Sequence, residues 1–181
     1  MLTRVDADTI LFLAIMEVCE RSFFTTVEGC EPAQFAALIK NVASDAALEA
    51  SGSDDPFRWL KASVAFDGTL SRGVVEVIIP ERLGSWLVRS MLGLTDDDGD
   101  AAMTMAAEQT FDGVGEFANM ICGAWLTHMC GSVPFELKSP AVVRLPDQWN
   151  PLTAISGTDG TQQLASINEL PLRIVVQMTT D

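Results

Sequence analysis

Apolar positions along the chain switch between two periods. Leu11, Phe12, Ile15, Val18, Cys19 and Phe23 recur at helical spacing behind Asp8, predicting a helix over about Thr9–Phe24 with Asp8 as its cap. Gly29 and Pro32 break that pattern. Phe35, Leu38, Ile39 and Val42 then mark a second helix from Pro32 to about Ala50, whose latter half, Ala43–Ala50, lacks large apolar residues. A turn is expected over Ser51–Pro56. Alternation follows in Trp59–Phe66, and Val and Ile crowd Gly73–Ile79, so the two predict an antiparallel hairpin turning at Asp67-Gly68. Pro80 suits a first helical turn, and Leu83, Trp86, Leu87 and Met91 carry that helix to Gly93. A long helix is expected from about Thr104 to Cys130, ended by Gly131. Strand-like segments near Pro140–Leu145, Gln162–Ile167 and Leu172–Met178 complete the chain.

This order predicts an α+β fold, a mainly antiparallel sheet covered by two long helices plus shorter ones, in one domain spanning residues 1–181. No tandem repeat is present. A weak two-fold echo is, since each half opens with a long helix and then supplies strands.

Composition narrows the function classes. The 181 residues are 48% hydrophobic, enough for a sizeable core. Twenty-five acids against eleven bases give a formal net charge of -14, which repels phosphate backbones and anionic lipid and so excludes nucleic acid and membrane surfaces as partners. The apolar run Ile10–Met16 is too short to span a bilayer and lacks a basic flank, so no targeting segment is expected. Cys19, Cys30, Cys122 and Cys130 show no C-x-x-C spacing and read as reduced thiols of a cytoplasmic protein. Thr95–Asp100 is rich in Asp, but a calcium loop counted from Asp96 would need Gly and Glu where Ala101 and Ala107 stand. It reads as a solvated acidic loop.

One segment carries more information. Between Phe111 and Trp125, the apolar Val114, Phe117, Ile121 and Trp125 share one helical face, while Asp112, Glu116, Asn119 and Gly123 share the other. Each interior glycine costs a helix about 1 kcal/mol relative to alanine. Gly113, Gly115 and Gly123 within one helix therefore ask for a reason, such as close approach of another surface, chiefly at Gly123. Amphipathicity alone also describes any solvated surface helix. His128 falls on the buried side of the same helix and reads as a satisfied core histidine. With no second His, neither a metal cluster nor a Cys-His pair is supported. There is no Walker loop and no G-x-G-x-x-G.

The segment Gly115-Glu116-Phe117-Ala118-Asn119-Met120-Ile121-Cys122-Gly123 resembles the Gly-Glu-x-x-Asn-Met-Ile-x-Gly pattern of the CheC/CheX/FliY phosphatases. Asp112, Glu116 and Asn119 match that family's spacing, and Pro140 in Ser139-Pro140-Ala141-Val142-Val143 is similar to its Pro-Thr-Val segment. Upstream, Gly73–Glu81 leading into Met91-Leu92-Gly93 resembles the strand and helix that precede the motif in CheX. The likeness covers about Trp59–Val143. It departs over Glu28–Pro56, where helical composition replaces expected strands and reads as a helical insertion. The first helix offers Leu13, Glu17 and Glu20 at the equivalent places, so the resemblance implies one site per chain, as in CheX.

What the resemblance implies is a CheC-like fold and a phosphatase for the phospho-aspartate of a response-regulator receiver, in chemotaxis or a related two-component pathway. Asn119 would orient the attacking water and Glu116 would reach the receiver's lysine. Asp112, Gly123 and Pro140 would support docking. No intrinsic cofactor is implied, a divalent metal being expected on the partner, and a homodimer is expected by analogy. A non-catalytic docking module and a structural relative of flagellar switch proteins remain open alternatives. Receivers are often acidic, so Lys61, Arg72, Arg82 and Arg89 are candidates for a complementary basic patch.

Overall fold

The computed structural model describes residues 4–49, 58–69, 71–94, 107–147, 149–151 and 160–180. The expected turn at Ser51–Pro56, the acidic loop Thr95–Asp100 and the expected helix start at Thr104 lie outside them. Four helices, α1 (Arg4–Ser22), α2 (Pro32–Glu49), α3 (Glu81–Met91) and α4 (Ala107–Cys130), accompany seven strands. The strands are β1 (Glu28–Gly29), β2 (Trp59–Gly68), β3 (Ser71–Pro80), β4 (Phe135–Leu137), β5 (Ala141–Arg144), β6 (Thr161–Ile167) and β7 (Leu170–Thr180). They form one antiparallel sheet in the order β1-β6-β7-β3-β2-β4, with β5 also paired to β2.

Side chains alternate between the faces of a strand, and here the alternation feeds two separate cores. Leu60, Ala62, Val64 and Phe66 of β2, with Val75, Val77 and Ile79 of β3 and Ile174 and Val176 of β7, pack on α1, α3 and α4. The intervening Trp59, Ile78 and Leu164 point the other way and meet Phe35 and Ile39 of α2. Within the segment Glu28–Pro56, α2 thus covers the opposite face of the sheet. Trp149 closes this second cluster by an edge-on contact with Trp59, ring centroids 5.5 Å apart.

Three local expectations shift. Asp8 lies inside α1 rather than capping it, because the helix begins at least a turn earlier, at Arg4. Asp67-Gly68 is not the hairpin turn: both residues remain in β2 and pair with Glu136 and Phe135 of β4. The Phe135 ring occupies the place of the side chain Gly68 lacks, its nearest carbon 2.5 Å from where a Cβ would stand, so this glycine serves packing. Pro80 ends β3 in extended conformation and leads into α3, which begins at Glu81. β1 and β4 are too short for a two-residue period to reveal them.

All four cysteines are free thiols. Burial pushes the Cys19 and Cys122 thiols up to about 12, whereas Cys30 and Cys130 are partly exposed and raised by burial too. Only the thiolate reacts, and burial also blocks access. Alkylation of the folded protein at pH 8 is therefore expected to reach Cys30 and Cys130 first, with Cys19 and Cys122 modified only after denaturation. Mass mapping of the labelled peptides checks this, and early labelling of Cys122 would contradict the packing of α4.

Candidate functional site

α4 is the element on which the candidate residues converge. Val114, Phe117, Ala118, Ile121, Cys122 and Trp125 are buried against the sheet and α1. That burial orients the helix, and the opposite stripe follows from its geometry: Asp112 and Glu116 are exposed and Asn119 is half-buried. Among the described residues, none of these three side chains is engaged by a hydrogen bond or an ion pair. The carboxylates and the carboxamide therefore remain available to a partner surface.

Two of the three glycines are explained from inside the molecule. A Cβ at Gly113 would overlap Val88 Cγ2 of α3, and one at Gly115 would stand 3.3 Å from both Cβ and Cγ of Pro140. At Gly123 a Cβ would meet nothing within 4 Å. Gly113 and Gly115 thus let α3 and the Pro140 corner approach the helix, and only Gly123 leaves its surface open. Replacing Gly113 by Ala gains up to about 1 kcal/mol of helix propensity but forces apart two helices at a stiff β-branched side chain, at roughly 1–3 kcal/mol. A fall of a few degrees in Tm is expected for Gly113→Ala, measured by circular dichroism. A Tm at or above wild type would show that α3 yields freely.

Pro140 reaches the site because the last part of the sheet edge is broken. β4 pairs with the Phe66–Gly68 end of β2 and β5 with its Leu60–Ser63 end. Between them Lys138 N–H still donates to the Ala65 carbonyl, at 2.9 Å. Pro140 then interrupts the ladder, having no N–H to give, and its ring lies on Gly115, within the turns that carry Asp112, Glu116 and Asn119. Four of the five residues picked from sequence, Asp112, Glu116, Asn119 and Pro140, are brought to one stretch of α4. Gly123 lies a turn further on, beside a shallow cavity of about 190 Å³ lined also by Thr127, Val133 and Leu137.

His128 is a correction. It is exposed, not buried, and its Nε2 lies 2.8 Å from Glu17 Oε2 of α1. The last buried residue of α4 is Leu126, and His128 beyond it meets Glu17 on α1. Glu17, also paired with Arg21, is thereby a helix-to-helix strut. The four bases considered as one patch stand on three elements, Lys61 on β2, Arg72 on β3, and Arg82 and Arg89 on α3. Lys61 pairs with Glu76 at 2.9 Å beside the buried Arg173, whereas Arg82 and Arg89 line a cavity along α3. Arg144 is a neighbour that no sequence pattern singles out. It stacks over the Phe111 ring, 5.7 Å from its centroid, and holds Glu81 at 2.6 Å, placing a cation next in sequence order to Asp112 through Phe111.

Among the described residues no group of three His, Cys, Asp or Glu is placed to hold a metal ion, and no helix is long and apolar enough to cross a membrane.

Comparison with known proteins agrees with this arrangement. The sequence profile of a family described as chemotaxis phosphatase CheX matches residues 60–149, which hold β2 from its second residue on, β3, α3, α4, β4 and β5 and every candidate site residue. No curated protein sequence matches the chain. Among solved structures, the chemotaxis protein CheX from Vibrio vulnificus superposes with a TM-score of 0.63 at 15% identity, over 99% of this chain and 100% of that one. A CheC-like superfamily protein from Shewanella sp. PV-4 gives 0.58 at 14% identity, covering 99% of each chain. FliY from Thermotoga maritima gives 0.52 at 17% identity, over 99% of this chain and 92% of that one. At such identities the superpositions establish the fold, and the profile match establishes the kinship: the chain belongs to the CheC/CheX/FliY family, on its CheX side.

Proposed function

We propose that this chain removes phosphate from the phospho-aspartate of a response-regulator receiver domain, with Asn119 and Glu116 as the working groups. The observation that carries the reading is the unengaged stripe of α4: an exposed Glu116 and a half-buried Asn119 beside the Pro140 corner, on a helix fixed by its buried face.

An aspartyl phosphate is a mixed anhydride, already activated. Its receiver is expected to supply a divalent metal and a lysine that balance charge on the phosphoryl oxygens, so placing a water in line is the task left to this chain. The Asn119 carboxamide suits that task, since its oxygen accepts from the water while its NH2 donates, and it does not ionise. The water oxygen attacks phosphorus, the bond from phosphorus to the aspartate oxygen breaks, and the carboxylate leaves with the electron pair. The proton lost by the water ends on the released phosphate. Glu116 is assigned to the receiver's lysine as a charge-assisted contact that sets register. Asp112, Gly123 and Pro140 shape the docking surface, Gly123 by leaving the backbone approachable and Pro140 by walling the stripe beside Gly115.

The test is the loss of phosphate from a panel of phosphorylated receivers from the same organism, with and without this chain. Acceleration of at least one receiver supports the proposal. Tight binding to a receiver with no acceleration of any would replace it with a docking module on the same surface.

A further inference from the structure

The motif stripe of α4 leads into a groove. One turn beyond Asn119, the cavity of about 190 Å³ opens between α4 and β4. Gly123, Leu126 and Thr127 line it from the helix, Phe135 and Leu137 from the strand, and Val133 from the turn that joins them. β4 and β5 both pair with β2 and so share one edge of the sheet. Pro140 closes that edge against α4 at Gly115, and the groove reopens it at Gly123. No charged residue lines the groove, and the Thr127 hydroxyl is taken by the Gly123 carbonyl, to which it donates at 2.8 Å. Its volume is below the roughly 300–1,000 Å³ of small-molecule sites and suits one anchoring side chain of a protein partner.

Reach and charge together say what covers it. Four residues at a rise of about 1.5 Å each put Gly123 roughly 6 Å along the helix from Asn119. A stable interface buries about 800 Å² on each partner, a patch of roughly 16 Å radius. A receiver seated with its phosphoryl group at Asn119 therefore lies over the groove too, and either fills it or traps a void. The formal net charge of this chain is -14 and receivers are often acidic, so long-range attraction opposes the encounter and burial of uncharged surface has to supply affinity. Gly123 fits this use. A Cβ there would meet nothing within 4 Å, so packing inside the molecule gains nothing from a residue that weakens the helix.

We propose that the groove is the docking subsite for one apolar side chain, of the size of Leu, Ile, Met or Phe, on the receiver surface around the phospho-aspartate. The inference rests on the reading of the α4 stripe as the receiver-facing surface, and it adds what selects the receiver. Asn119 acts at the phosphoryl group, while the anchor fixes the partner one turn away. A receiver with a charged or amide side chain at that place is rejected, because docking would bury a polar group without a partner.

Receivers from the same organism, loaded with beryllium fluoride and Mg2+ as a phosphoryl mimic that is not turned over, are titrated into the whole chain. This reads docking separately from phosphate release. Val133→Asn, which makes the groove polar, and Gly123→Met, which fills it, are each expected to weaken binding by roughly tenfold or more. Val133→Ile keeps the lining apolar and should stay within about twofold. Circular dichroism verifies folding; if Val133→Asn does not fold, Gly123→Met carries the test, since it improves helix propensity at a position with open space. Binding within about twofold of wild type in the folded variants overturns the proposal, even where the receiver is dephosphorylated. So does unchanged receiver binding together with loss of a dimer in light scattering, which would assign the groove to a second copy of this chain. Groove-dependent binding without phosphate release would leave this proposal standing and remove the phosphatase reading alone; failure of wild type to bind any receiver removes both.

Discussion

Asn119→Ala is expected to lower the acceleration of receiver dephosphorylation by roughly a hundredfold or more, while leaving the far-ultraviolet spectrum and receiver binding close to wild type. The size follows from the division of labour. If the receiver balances the phosphoryl charge, this chain contributes mainly position, and a water without its carboxamide loses the in-line geometry. The side chain is half-buried on an exposed stripe and makes no hydrogen bond among the described residues, so truncating it removes no contact on which the fold depends. Asn119→Asp is the sharper control. It keeps the shape, but a carboxylate cannot donate, and it brings like charge toward the phosphoryl oxygens, so it should be no better than alanine. The measurement is the decay of phosphorylated receiver under single-turnover conditions. Activity within about twofold of wild type in both variants would sink the water-positioning role, even with turnover intact.

The second large effect is on stability. Phe117 is fully buried between Glu116 and Asn119 in sequence and meets Phe23 of the α1 end edge-on at 5.4 Å. Phe117→Ala should cost about 3–5 kcal/mol, from lost burial plus the cavity left behind. For a chain of this size that is a drop on the order of 10 °C in Tm. Because this contact holds the motif helix at the α1 and α3 junction, activity per folded molecule should fall as well. Phe117→Leu keeps most of the volume and should lose less than half as much. Thermal denaturation followed at 222 nm, with activity normalised to the folded fraction, checks both parts. A Tm within about 2 °C of wild type would show that α4 is held by its other buried residues and not by this pair of rings.

The stripe of α4 was legible before any coordinates because a helix converts sequence spacing directly into geometry. Asp112, Glu116 and Asn119 share a face whatever the rest of the chain does, and Val114, Phe117, Ile121 and Trp125 show which face is turned inward. The same logic placed α1, α2 and α3 to within a few residues, and the long strands β2, β3, β6 and β7. It failed where position depends on something distant. His128 follows the apolar phase of α4, but it stands beyond Leu126, the last buried residue of the helix, and α1 supplies a carboxylate instead. Asp67-Gly68 has turn chemistry, yet β4 continues the ladder past it and Phe135 fills the space over Gly68.

The amino-acid sequence by itself therefore determined the element types, the composition of the motif face and, through the motif, the family. Each of these rests on neighbours within a few turns or on residue identity, and local periodicity carries both. Only the tertiary structure decided that α2 covers the far side of the sheet, that Pro140 leans on Gly115 and that Gly113 receives Val88. It alone gathered Arg82, Arg89 and Trp86 with Asn41 and Asn168 around one cavity. These are meetings between segments tens of residues apart, set by strand order and by how closely helices pack, and no period in the chain encodes which distant surfaces will touch.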